Sequence, residues 1–213
     1  MPINQSHKLA FVHIPKTAGS SIEQALDMYG YANSGENSIF DPDRLFGHEY
    51  QLSTAFEIHN YLLRRQCDPE SFTWFAVVRH PFYRFLSEYM WRRKWDPRLQ
   101  CMTVLDFLLR IVVPGSQHID NFLYRHFIPQ VEFIRSSPNL AVSPHVYRLE
   151  DTLVPLENSL RSKGISVSFP RINSTTSRTL AQQLDQTLKK DIEIILQDIY
   201  SEDYARLKYE PLF

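Results

Sequence analysis

Twice in this chain a short apolar run stops at a loop and gives way to apolar residues at helical spacing. Leu9-Ala-Phe-Val-His-Ile14 is followed by Pro15, and then Ile22, Ala25, Leu26 and Tyr29 recur as on one helix face. Phe72-Thr-Trp-Phe-Ala-Val-Val78 leads through His80-Pro81 to Phe82, Phe85, Leu86, Tyr89 and Met90. A third buried strand is expected at His145-Val-Tyr-Arg-Leu149, before a helix carrying Leu153, Leu156 and Leu160 that Gly164 stops. Strands that alternate with helices predict an α/β fold, a central and mostly parallel sheet with both faces covered by helices. The remaining pattern predicts a helix over Thr103–Val113 ended by Pro114-Gly115, and one long amphipathic helix from Thr179 to Tyr200. The stretch from 30 to 44 reads as a surface loop leading to a short strand near Leu45-Phe46.

The chain has 213 residues, and its length and 43% hydrophobic content suit one domain spanning 1–213. A formal net charge of −1 removes the global basic field of an indiscriminate nucleic-acid binder, so any anion site is local and no nucleic-acid partner is expected. Cys67 and Cys101 are too few for a disulfide scaffold and lack zinc spacing, and no metal site is expected. No signal-like leader and no apolar run of spanning length is visible, so a cytoplasmic protein without a membrane span is the expectation.

Chemistry concentrates where the two leading strands end. His13-Ile-Pro-Lys-Thr-Ala-Gly-Ser-Ser21 joins a strand to a helix, where backbone N–H groups and the helix dipole attract an anion. Lys16 adds a charge, Gly19 lets a backbone approach closely, and Thr17, Ser20 and Ser21 add hydroxyls around Ala18. The competing reading is an ordinary helix cap with two serines. The G-x-x-x-x-G-K-[ST] triphosphate pattern is absent, since Lys16 precedes the single glycine. At the end of the second strand, Arg79 offers a planar fork for phosphate oxygens, and Ser87 follows eight residues later.

These two segments, Phe11–Ser21 and Val77–Tyr89, resemble the sulfotransferases, particularly the carbohydrate type. The similarity extends to Phe46-Gly-His-Glu-Tyr50, His126-Phe-Ile-Pro-Gln130, Arg148-Leu-Glu-Asp151 and Ile199-Tyr-Ser-Glu-Asp-Tyr204. The resemblance implies a P-loop nucleotide-kinase-like sulfotransferase fold and 3′-phosphoadenylyl sulfate (PAPS) as sulfuryl donor, with 3′,5′-adenosine bisphosphate (PAP) as product. It implies that the Lys16–Ser21 loop holds the 5′-phosphosulfate and that Arg79 and Ser87 hold the 3′-phosphate. Lys16 and His48 become the catalytic residues, His48 as the base that takes the acceptor proton, with Glu49 the alternative base. Similar enzymes close a late loop over the nucleotide, which assigns Asn173, Ser174, Thr175 and Thr176 to the cofactor as a group. The membrane anchor and stem of the family's Golgi members have no counterpart in this sequence, which implies a compact, bacterial-type enzyme. The acceptor implied is a hydroxyl-bearing small molecule or saccharide; oligomeric state stays open.

Two other readings are carried alongside: an ATP-dependent small-molecule kinase, and a non-catalytic nucleotide-binding domain. Of the other histidines, His13 reads as packed, while His80, His118 and His126 stay open as acceptor contacts. Arg64 to Arg98 carries an excess of four positive charges interleaved at its end with Trp91 and Trp95. It reads either as a solvated helix face or as a surface that stacks and charge-pairs a sugar or acidic acceptor.

Overall fold

The computed structural model describes residues 2–28, 51–119, 121, 124–135, 142–169 and 176–213. They form two compact units, Met1–Val78 with Phe133–Pro170, and Arg79–Glu132 with Arg171–Phe213.

The first unit is built on a four-stranded sheet in the order β1 (Ile3–Asn4), β2 (Leu9–Val12), β3 (Thr73–Val78), β4 (His145–Arg148). Strand β1 is an antiparallel addition that the sequence pattern did not reveal, paired Ile3 to Ala10 and Asn4 to Leu9. It is too short to show periodicity. The other strands pair in parallel, with Phe11 opposite Phe75 and Val77 opposite Tyr147, as the alternation of strands and helices predicts.

Leu9, Phe11, Phe75 and Val77 bring every second residue to one face, where the Phe11 and Phe75 rings stack with centroids 5.1 Å apart. That face packs on Ile22 of α1 (Gly19–Ala25) and on Leu156 and Leu160 of α7 (Val154–Arg161). Helix α2 (Ala55–Arg64) also packs on β2. Its start is a full capping box, in which Thr54 and Glu57 each satisfy the other's backbone N–H. Each large side chain taken fully out of water here contributes about 1.5–3 kcal/mol. Strand β4 is half-exposed rather than buried. Among the described residues it pairs on one side only, so alternation of apolar side chains overstated its burial. Gly164, at φ +79°, follows α7 as its expected stop.

The second unit is helical. Helix α3 (Pro81–Trp95) begins with His80 as N-cap, whose Nδ1 accepts the Phe82 N–H at 3.2 Å, while Nε2 donates to the Glu210 carbonyl at 2.9 Å. Pro81 stands at the first helical position, where a missing N–H costs nothing. Next come α4 (Val104–Phe107) and α5 (Val113–Ser116), joined by a π turn over Leu108–Val112. Pro114 and Gly115 were expected to end this helix and instead lie inside α5. The wider π turn opens the ladder where the proline ring would have met a carbonyl one turn back. Helix α6 is Gln130–Ile134, and α8 (Thr176–Gln183) and α9 (Gln186–Ile199) follow, both packed on α3, before α10 (Ser201–Leu207). One helix was expected from Thr179 to Tyr200. The chain breaks it at Asp185, whose carboxylate caps α9 by accepting the Leu188 N–H at 2.9 Å. The strand expected at Leu45-Phe46 lies outside the described residues.

Candidate functional site

Strand β2 runs out into His13, and the next residues take an unusual backbone. Lys16 and Ala18 both stand at φ +69°, a left-handed conformation that a residue with a Cβ seldom adopts and that costs of order 1 kcal/mol or more. Thr17 between them is fully buried, and its hydroxyl donates to the Ile14 carbonyl at 2.8 Å, tying the turn inward rather than presenting the hydroxyl outward. Ala18 is the N-cap of α1 and no side chain caps that helix. The ordinary capping reading of the serines therefore fails: Ser20 and Ser21 are already inside the helix, Ser20 exposed and Ser21 buried.

Gly19 has a different job from the one its freedom suggested. A Cβ built there would lie 2.0 Å from His13 Nε2, so the glycine makes room for the imidazole. His13 is buried as expected, stacked on Phe11 at 5.6 Å, and its Nδ1 meets Glu23 Oε1 at 2.7 Å. The other carboxylate oxygen of Glu23 accepts from Gln51 Nε2 at 2.6 Å. Glu23 thus joins His13, which lies against Gly19, to Gln51. No sequence pattern marked Glu23 or Gln51, because an isolated acid on a helix and an isolated amide carry no periodic signal.

Strand β3 ends at Val78 and Arg79 follows. From the paired residues Val12 and Ala76, Lys16 lies four residues on and Arg79 three, so both cations follow the carboxyl ends of neighbouring parallel strands. Ligands of open α/β sheets bind at such ends. Arg79 is only 8% exposed, and its guanidinium Nη2 donates to Ser177 Oγ in the first turn of α8 at 2.7 Å. Ser177 is one residue past the group assigned to the late loop. Ser87 is half-buried on α3, and no hydrogen bond joins it to Arg79 among the described residues.

The backbone of Arg79 is held as closely as its side chain. Gln130 Oε1 accepts the Arg79 N–H at 2.9 Å, and Gln130 Nε2 donates to the Arg79 carbonyl at 2.8 Å. Gln130 is itself fixed by Asp203 of α10. One carboxylate oxygen takes the Gln130 N–H at 3.0 Å and its Nε2 at 3.2 Å, and the other takes the Val131 N–H at 2.9 Å. Burial pushes the Asp203 carboxyl above its ordinary value, against the pull of Arg84 and the N–H donors of Gln130 and Val131. Arg84, also buried, donates to the carbonyls of Ile128 and His126, both at 3.0 Å, and the Tyr200 hydroxyl donates to that of Phe127 at 2.7 Å. The segment leading into α6, 126–131, thereby has several of its backbone groups paired by side chains.

The family model described as "Sulfotransferase family" matches residues 1–210. This chain belongs to the sulfotransferase family. No curated protein and no solved structure matches it. The sulfotransferase match spans both units, and the family implies sulfuryl transfer to a hydroxyl-bearing acceptor.

Of this sulfotransferase's other expected site residues, His48, its alternative Glu49, and Asn173, Ser174 and Thr175 lie outside the described residues, as does the side chain of Thr176, the first residue of α8. His126 contacts Glu88 Oε2 through Nδ1 at 2.9 Å and stacks on Trp91, while His80 caps α3. Trp91 and Trp95 are 40% and 66% exposed, with Arg92 turned back to Glu88 at 2.7 Å and Lys94 lying over the Trp95 ring. Among the described residues no group of three or more His, Cys, Asp or Glu side chains is gathered to hold a metal, and no helix is long and apolar enough to cross a membrane.

Proposed function

We propose that this sulfotransferase moves the sulfuryl group of PAPS to a hydroxyl of a carbohydrate or glycoconjugate, in a bacterial-type enzyme whose residues 1–213 act as one P-loop-kinase-like domain. The 5′-phosphosulfate binds the loop from Lys16 through Thr17, Ala18, Gly19, Ser20 and Ser21. The 3′-phosphate binds Arg79 and Ser87, and Asn173–Thr176 close over the nucleotide. His48 takes the acceptor proton as the acceptor oxygen bonds to sulfur, and the bond from sulfur to the 5′-phosphate oxygen breaks, releasing PAP. Lys16 meets the negative charge that develops on that departing oxygen. The work is positioning and electrostatics, as in phosphoryl transfer.

One observation carries this reading: Lys16 and Arg79 follow the carboxyl ends of neighbouring parallel strands, the first in a left-handed loop with no side-chain cap on its helix. Anion-binding nests combine right- and left-handed residues in succession, and Lys16 and Ala18 are left-handed on either side of Thr17, which is not. The test is a thermal-shift series without added metal. PAP should raise the melting temperature more than AMP, ADP or ATP at equal concentration, and EDTA should leave sulfuryl transfer unchanged. Stabilisation by ATP with Mg²⁺, with none by PAP, would replace this reading with a kinase.

A further inference from the structure

The backbone of Arg79 is gripped by a side chain 51 residues away, and that grip is anchored in turn by an acid 73 residues further still. Such an arrangement is expensive. Gln130 is fully buried, and so is Asp203, and each removes strongly hydrated groups from water that only complete pairing offsets. An apolar contact could not pair the N–H and the carbonyl of Arg79, which lie just past the last ladder pair. Here the amide of Gln130 does what a neighbouring strand would do, accepting the N–H and donating to the carbonyl of one residue. That residue is the first beyond β3, where the ladder to β4 has ended at Val78 and Arg148. The chain at Arg79 is thereby held in a fixed direction although it has left the sheet, and its guanidinium reaches Ser177 at 2.7 Å from a fixed origin.

We infer that Gln130 and Asp203 are positioning residues for recognition of the nucleotide's 3′-phosphate, Gln130 by clamping both backbone groups of Arg79 and Asp203 by orienting Gln130. Neither side chain touches the nucleotide in this arrangement; both act through the direction in which Arg79 leaves the sheet. A planar fork discriminates only when its plane is fixed, because a guanidinium free to swing spends part of each bond's strength on being ordered. The inference rests on the assignment of Arg79 to the 3′-phosphate and extends it to two residues that would not meet the ligand.

The experiment is a calorimetric titration of PAP and of AMP, which lacks the 3′-phosphate, into wild type, Gln130→Met, Asp203→Asn and the double variant. The ratio of AMP to PAP dissociation constants reads the 3′-phosphate alone. In Gln130→Met that ratio should fall roughly tenfold, with AMP affinity changed less than about twofold. Asp203→Asn, which keeps the shape but replaces one accepting oxygen by a donor, should lower the ratio in the same sense and add little in the Gln130→Met background. Circular dichroism checks the fold; if Gln130→Met is unfolded, Asp203→Asn gives the same reading. A folded variant with the wild-type ratio, or equal losses for PAP and AMP, overturns the proposal, and additive effects overturn the route through Gln130. A wild-type ratio near one instead overturns the assignment of Arg79 itself, and with it this extension.

Discussion

The two strand ends that carry Lys16 and Arg79 solve one problem by opposite means. After β2 the chain is shaped locally: two left-handed residues, a threonine bonded three residues back, and a glycine that admits His13 all fall between positions 13 and 19. After β3 the chain is shaped from afar, with Arg79 held through Gln130 and Ser177, the latter 98 residues away. Local shaping stores strain in the backbone and confines a loop to one form at the cost of stability. Remote shaping places its burden on buried polar groups, which are stabilising only while every partner is present. On the proposed assignment, a phosphosulfate that must react meets the first arrangement, and a phosphate that must only be recognised meets the second.

The contrast breaks first at Lys16. Lys16→Ala should lower kcat by roughly 10²–10³-fold while PAP affinity changes far less, because in the proposed reaction the charge it meets develops only in the transition state. Steady-state rates and PAP titration separate the two, and a loss confined to affinity would make Lys16 a recognition residue like Arg79. At the other strand end, Arg79→Ala should weaken PAP by roughly one to two orders of magnitude, and Arg79→Lys should recover only part of it. Unequal loss of PAP and AMP binding is the diagnostic result; equal losses would show that Arg79 does not read the 3′-phosphate.

A third variant sharpens the local side. Gly19→Ala puts a methyl group 2.0 Å from His13 Nε2, so the imidazole must leave Glu23. Overpacking of this kind costs about 1–3 kcal/mol, measurable as a lower urea midpoint. Adding His13→Ala should restore part of the loss, whereas strict additivity would deny that the two residues share the space.

The smallest effect belongs to the remote side and depends on pH. Burial raises the folded Asp203 carboxyl above the value of 3.8 expected when unfolded. Between those two values the folded state therefore binds that proton more strongly than the unfolded chain does. That contribution is full below the unfolded value and is lost as pH rises through the folded one. Urea midpoints of wild type measured against Asp203→Asn should consequently move against wild type as pH rises above the unfolded value of 3.8. A constant difference would mean that the carboxyl titrates alike in both states.

Much of this protein was written locally. The apolar runs at 9–14 and 72–78 gave the two central strands, and their abrupt ends placed Lys16 and Arg79 at the carboxyl edge, because strand and helix periods show within a few residues. The break at Asp185 is equally local, but apolar spacing continues through it and masks it. The roles of Glu23, Gln51, Gln130, Ser177 and Asp203 were another matter. A buried amide or acid is recognisable only by what it bonds, and those partners are chosen when distant segments pack and each desolvated polar group must find a counterpart. Gly19 shows the same division on a single residue. Its presence in a strand-to-helix loop was plain in the sequence, but that it yields space to His13 was decided by the ring that the fold pressed against it.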